Sequence, residues 1–103
     1  MTRVENIPYG LVQTGEVSGS ATAKQLPNVA CSIVMIIAMG SNVGDVYVGG
    51  SSAVTVVNTT TDTTAGYELK ASAQTPWIPI SNLNLLFIIC DNAGDDITYF
   101  ALS

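Results

Sequence analysis

Two apolar runs divide this chain, and each is followed by the same kind of turn. Val29 to Met39 is nearly continuous in apolar side chains and runs into Asn42-Val43-Gly44-Asp45, after which Val46-Tyr47-Val48-Gly49 alternates. Fifty positions later Leu85-Leu86-Phe87-Ile88-Ile89 runs into Asn92-Ala93-Gly94-Asp95, and Ile97-Thr98-Tyr99-Phe100 alternates again. Periodicity alone does not separate a buried strand from a buried helix in a short apolar run. The β-branched Ile33, Val34, Ile36 and Ile37, with Gly40 and Asn42 beyond them, favour a central strand covered on both faces. Asn42 and Gly44 tolerate positive φ, so each turn is expected to close a local hairpin, Ile33–Val48 and Leu85–Leu102.

The remaining segments read as short strands or loops. Gly15 to Pro27, rich in small and hydroxyl residues and interrupted by glycine, suits edge strands or a strand with a bulge, and Pro27 ends it. Ala53 to Val57 and Gly66 to Ala71 are further strand candidates, separated by the threonine-rich polar loop Asn58–Thr64. Trp77-Ile78-Pro79-Ile80 is boxed by Pro76 and Pro79, and proline donates no ladder hydrogen bond, so this piece belongs at a sheet edge. No apolar stripe of helical period is long enough for a helix. The expectation is an all-β fold, a β-sandwich or jelly roll of about seven to eight short antiparallel strands. Residues 1–14, with Pro8 and Gly10 and no sustained period, read as an N-terminal arm, and residues 15–103 as the β-domain.

Composition changes this picture in one respect. At 103 residues and 48% hydrophobic, the chain carries only 11% charged residues, against about 25% in an average soluble domain. A surface so poor in charge favours burial against other subunits over life as a lone monomer. The net charge is −5, with Arg3, Lys24 and Lys70 the only bases, so no basic stripe is present to neutralise a phosphate backbone, and nucleic acid is not an expected partner. The N-terminus lacks the order of a secretory signal, and the longest apolar run, Ile33 to Met39, is too short to span the roughly 30 Å hydrocarbon core. An intracellularly made, soluble protein without a membrane partner is expected. In a reducing compartment Cys31 and Cys90 read as two packed thiols rather than a disulfide.

Candidate chemistry is sparse. Histidine is absent, which removes Ser-His-Asp and Cys-His arrangements and most zinc sites. The acids fall in turns and alternating polar positions, not as a carboxylate pair facing a cleft. The chain therefore reads as not an enzyme, with no catalytic, cofactor-binding or metal-binding residue. Asp91-Asn92-Ala93-Gly94-Asp95-Asp96 offers oxygen ligands on a tight turn, yet it lacks the order and distant glutamate of an EF-hand, so it reads as a polar turn. Asn58-Thr59-Thr60 matches a glycosylation acceptor, accidental without a secretory signal. Trp77, Tyr9, Tyr47, Tyr67 and Tyr99 read as half-buried core ahead of a ligand platform.

The succession Gly15-Glu16-Val17-Ser18-Gly19-Ser20-Ala21-Thr22, Gln25-Leu26-Pro27, Cys31, Asn42 to Gly49, Gly66-Tyr67-Glu68-Leu69-Lys70-Ala71, Ile80-Ser81-Asn82-Leu83 and Ile97-Thr98-Tyr99 resembles a large group of small all-β virion proteins of tailed phages. The likeness covers most of the chain from Gly15 onward, with the Asn58–Thr64 loop lengthening one connection. It implies a capsid decoration (cement) protein on the virion's capsid surface. Such a protein is made in the host cytoplasm, has the major capsid protein as its partner and forms a homo-oligomer, a trimer being favoured. A tail-fibre or baseplate module that binds host surface glycan is the alternative, and a carbohydrate-binding module acting in trans a weaker third.

Overall fold

The structure, a computed structural model, describes residues 11–56 and 63–103. Eight strands form among the described residues: β1 (Val12–Ser18), β2 (Lys24–Gln25), β3 (Ile33–Ala38), β4 (Val46–Gly49), β5 (Tyr67–Leu69), β6 (Ile78–Pro79), β7 (Phe87–Cys90) and β8 (Asp96–Leu102). A 3-10 turn at Leu83–Leu85, in which the Asn84 N–H donates to the Asn82 side chain, precedes β7. Strands β1-β8-β3-β6 make sheet I and β2-β7-β4-β5 make sheet II, with every pair antiparallel. The expected all-β sandwich is what the chain forms.

The pairing has a simple logic. Strand β1 pairs with β8, β2 with β7, β3 with β6 and β4 with β5, so the chain is one long antiparallel hairpin with its tip between β4 and β5. That hairpin rolls up until β8 meets β3 and β7 meets β4, which is the jelly-roll arrangement of two four-stranded sheets.

Two expectations are corrected by this topology. The Asn42 and Asn92 turns do not close hairpins, because β3 and β4 lie in different sheets, as do β7 and β8. Each turn is an arch that carries the chain from one sheet to the other. The physical reason lies in the flanking strands, each of which has its own apolar row. In one sheet those rows would point the same way with nothing opposite, whereas an arch turns Val34, Ile36 and Ala38 towards Val46 and Val48 across a shared core. These five residues join Leu69, Leu83, Ile88, Ile97 and Ala101 in one buried cluster. Strand β3 is also not covered on both faces: Val34, Ile36 and Ala38 are buried, while Ile33, Met35 and Ile37 stay half-exposed on the outer side. Its continuous apolar run serves a core face and an outer face at once.

Edge assignments follow the sequence more closely. The Pro79 strand, β6, lies at the edge of sheet I, and β1 and β2 are edges of sheets I and II. The expected Ala53–Val57 strand reduces to a single bridge between Thr55 and Ala65, with Val57 outside the described residues. Residues 12–14, the end of the expected arm, are the start of β1, while residues 1–10 and most of the threonine-rich loop, 57–62, lie outside the described residues.

Candidate interaction surfaces

The two arches meet. Asn42 and Asp96 exchange reciprocal bonds, Asn42 Nδ2 donating to the Asp96 carbonyl at 2.8 Å and the Asp96 N–H donating to Asn42 Oδ1 at 2.8 Å. The Asp95 carboxylate accepts the Val43 and Gly44 N–H groups, one on each oxygen, at 3.0 and 2.9 Å. Asp91 Oδ2 accepts the Asp45 N–H at 3.2 Å, and the Asp91 N–H returns to the Asp45 carbonyl. Asp95 is only 4% exposed, a burial that a carboxylate tolerates when backbone donors replace its water. The motif at Asn42 and its echo at Asn92 are thus two halves of one clasp.

Backbone conformation in the arches differs from expectation. Gly94 takes φ +94°, whereas Asn42 and Gly44 are not among the described residues with positive φ. The constraint at Gly44 is space: a Cβ there would sit 2.5 Å from Asn92 Nδ2 and 2.9 Å from Asp91 Cβ. Of the acids considered as calcium ligands, Asp91 and Asp95 accept backbone N–H groups, while Asp96 Oδ1 is buried with no hydrogen-bond partner among the described residues, which hold no group of three or more metal-ligating side chains. Calorimetry on calcium addition is expected to show no heat of binding.

Two acids meet outside the clasp. A hydrogen bond to Asp96 and repulsion from its charge push the exposed Glu16 carboxyl above its ordinary pKa. Tyr47, placed on the outer side of sheet II, is nonetheless buried, beside the connection whose Val54 fills the space above Gly49 and Gly66. Burial first, and then the charges of Asp91, Glu68 and Asp45, push the Tyr47 phenol up to about 12. Lys70 lies 3.4 Å from Asp45 and 3.7 Å from Glu68, so this side of the molecule is charged as well as covered.

The outer face of sheet I is the opposite. Register places Val12, Leu102, Ile33 and Pro79 in one row across the four strands, and Thr14, Phe100 and Met35 in the next. Trp77, 41% exposed, tilts against Phe100 with ring centroids 5.7 Å apart. In the third row, Glu16, Thr98 and Ile37, the face meets its first charge. Aromatic and aliphatic side chains in cross-strand contact stabilise the sheet by themselves, yet here they also leave an apolar surface open.

A recess of about 300 Å³ opens between the sheets on the β5 and β6 side, walled by Val48, Tyr67, Pro76, Ile78 and Leu86. Its polar side chain of note, Thr75, is buried and already accepts the Ile36 N–H at 3.0 Å. Sequence reasoning placed Trp77 and Tyr67 with the half-buried core. The structure puts both at the surface, Tyr67 at 56% exposed, while Tyr47 is core. Cys31 and Cys90 are free thiols, on the β3 side and in β7, and burial pushes both thiol pKa values up. Comparisons with protein-family models, curated proteins and solved structures found no match.

Proposed function

We propose that this chain is a non-enzymatic phage capsid decoration protein that seats on the major capsid protein and stabilises the head. The observation that carries this reading is the apolar outer face of sheet I, which has no charge in its first two rows on a chain of net charge −5. An apolar sheet face without charge in its first two rows suits a mechanical contact repeated over many copies, because it gains from water exclusion and needs no cofactor. The jelly roll is shared by capsid and lectin domains, so the fold is compatible with this role and does not select it. The resemblance from Gly15 to Tyr99 supplies the phage context and the location on the virion surface.

The glycan-binding alternative has less support. Sugar recognition pairs an aromatic platform with convergent polar groups, and the recess beside Tyr67 offers an apolar wall with its threonine already engaged. The test is direct. Purified protein added to empty mature heads should bind in many copies and raise their melting temperature, and Met35→Lys, which puts a charge in the middle of the apolar face, should abolish both effects while the isolated domain stays folded. Absence of binding by the unaltered protein, or full binding by Met35→Lys, refutes the proposal.

A further inference from the structure

Strand β1 is seven residues long and forms one edge of sheet I. Long open edges are templates for strand addition, and proteins ordinarily blunt them with proline, lysine, a bulge or a covering segment. Proline, lysine and a bulge are absent from β1: it reads Val-Gln-Thr-Gly-Glu-Val-Ser, with Glu16 as its one charge, and its register with β8 runs one-to-one from Val12↔Leu102 to Ser18↔Asp96.

The hydrogen-bond parity of this edge follows from its two ends. The Ser103 N–H donates to the Leu11 carbonyl, and the Gly19 N–H to the Asp95 carbonyl. Antiparallel ladders alternate, so the odd residues of β1 bond β8, and the N–H and C=O of Val12, Thr14, Glu16 and Ser18 point away from it. One outward group is already taken: Lys24 Nζ donates to the Ser18 carbonyl at 2.7 Å. This leaves Val12, Thr14 and Glu16 as the open ladder, with no backbone partner from the described residues.

We infer that this edge pairs with β1 of a second copy of the chain, antiparallel about a two-fold axis at Thr14. That register sets Thr14 opposite Thr14 of the other copy and Val12 opposite Glu16, so it uses every open group, leaves the Lys24 contact undisturbed and opposes no two acids. A Thr–Thr cross-strand pair is favourable, and like charges directly opposite are not. A register shifted by two residues one way would bring Ser18, with its carbonyl already engaged, into the ladder, and the other way would leave Glu16 opposite none of the described residues. The product is a continuous eight-stranded sheet whose two apolar outer faces join across the seam. It is a two-fold contact, in place of the trimer implied by the phage resemblance, and it does not depend on the capsid proposal.

Analytical ultracentrifugation over a wide concentration range tests it. The chain, 10.7 kDa, is expected to approach twice that mass as concentration rises. Thr14→Pro removes an outward N–H and no bond to β8, so it should keep the circular dichroism spectrum and weaken association about tenfold or more. Thr14→Cys should cross-link to a dimer with a short bismaleimide, above the background of the unaltered protein, and this second variant decides the matter if Thr14→Pro does not fold. A protein monomeric at every concentration, an assembly of any order other than two, a dimer indifferent to Thr14→Pro, or a Thr14→Cys protein that does not cross-link would each overturn the inference.

Discussion

Asp95→Ala isolates the clasp between the arches. The substitution removes the carboxylate that accepts Val43 N–H at 3.0 Å and Gly44 N–H at 2.9 Å, at a site only 4% exposed. Hydrogen bonds to a charged group contribute about 1.5–3 kcal/mol each, and donors left unpaired in a buried place add a desolvation cost. Because the two bonds share one carboxylate they are not additive, and a loss of about 3 kcal/mol is expected. For a domain of this size 1 kcal/mol corresponds to about 4–8 °C, so melting should fall by at least about 12 °C. Asp95→Asn keeps one acceptor and turns an amide donor towards the other N–H, so it should fall between the two. Asp91→Ala is the control: it removes one longer bond, 3.2 Å to the Asp45 N–H, from an exposed residue, and should cost less than about 1 kcal/mol. Thermal and urea unfolding followed by circular dichroism measure all three. Equal losses for Asp95→Ala and Asp91→Ala, or an Asp95→Ala protein that melts with the unaltered one, would refute the view that the clasp holds the two sheets in place.

The raised Glu16 pKa means that the folded state holds this proton more tightly than the unfolded state, so stability should rise as pH falls through the Glu16 range from above, and Glu16→Gln should remove that slope in melting temperature. Tyr47, with its phenol pushed up to about 12, should resist ionisation where ordinary tyrosines titrate, and stability should fall between about pH 10 and 12; Tyr47→Phe should abolish that fall in an alkaline unfolding series. Deletion of residues 1–14 strips Val12, Gln13 and Thr14 from their pairing with Leu102, Ala101 and Phe100 and should lower the melting temperature clearly. Thiol titration should find Cys31, which is partly exposed, reacting well ahead of buried Cys90, and a reducing agent should leave the melting curve unchanged.

What the sequence reveals here divides along a physical line. Strand character, the edge position of Trp77–Ile80 and the sites of chain reversal depend on local chemistry: β-branched side chains, proline's missing donor, and Asn and Gly in turns. Sheet membership does not, because Asn42-Val43-Gly44-Asp45 has the composition of a hairpin turn and of an arch alike. Burial of one row per strand decides between them, and that depends on what lies opposite. Asp95 was illegible for the same reason. An aspartate beside glycine reads as solvated, and its donors, Val43 and Gly44, lie about fifty positions away. A signal existed in the repetition itself, since two similar turns after two buried strands are what interlocked arches would present. The outer face was hidden by the density of the apolar run, as nothing in Ile33-Val34-Met35-Ile36-Ile37 says that alternate members face solvent.

Charge is placed unevenly in this molecule. Asp45, Asp91, Asp95 and Asp96 gather at the arches, and Glu68 and Lys70 lie close by, where backbone donors take up Asp91 and Asp95 and the Lys70 ammonium faces Asp45 and Glu68. Had the same acids been scattered over sheet I, they would have made its face soluble and useless as a contact. Concentrating them serves two ends, since an acid on an arch supplies acceptors where the chain crosses between sheets and has orphan N–H groups to satisfy. Sheet I is left with Val12, Ile33, Met35, Trp77, Phe100 and Leu102 on its outer side and with the open edge of β1 beside them. A small domain that buries little of its own surface has few ways to gain stability. This one has a polar clasp joining its two arches, and in the capsid-surface and strand-pairing proposals the apolar face of sheet I and the β1 edge make the contacts with other chains.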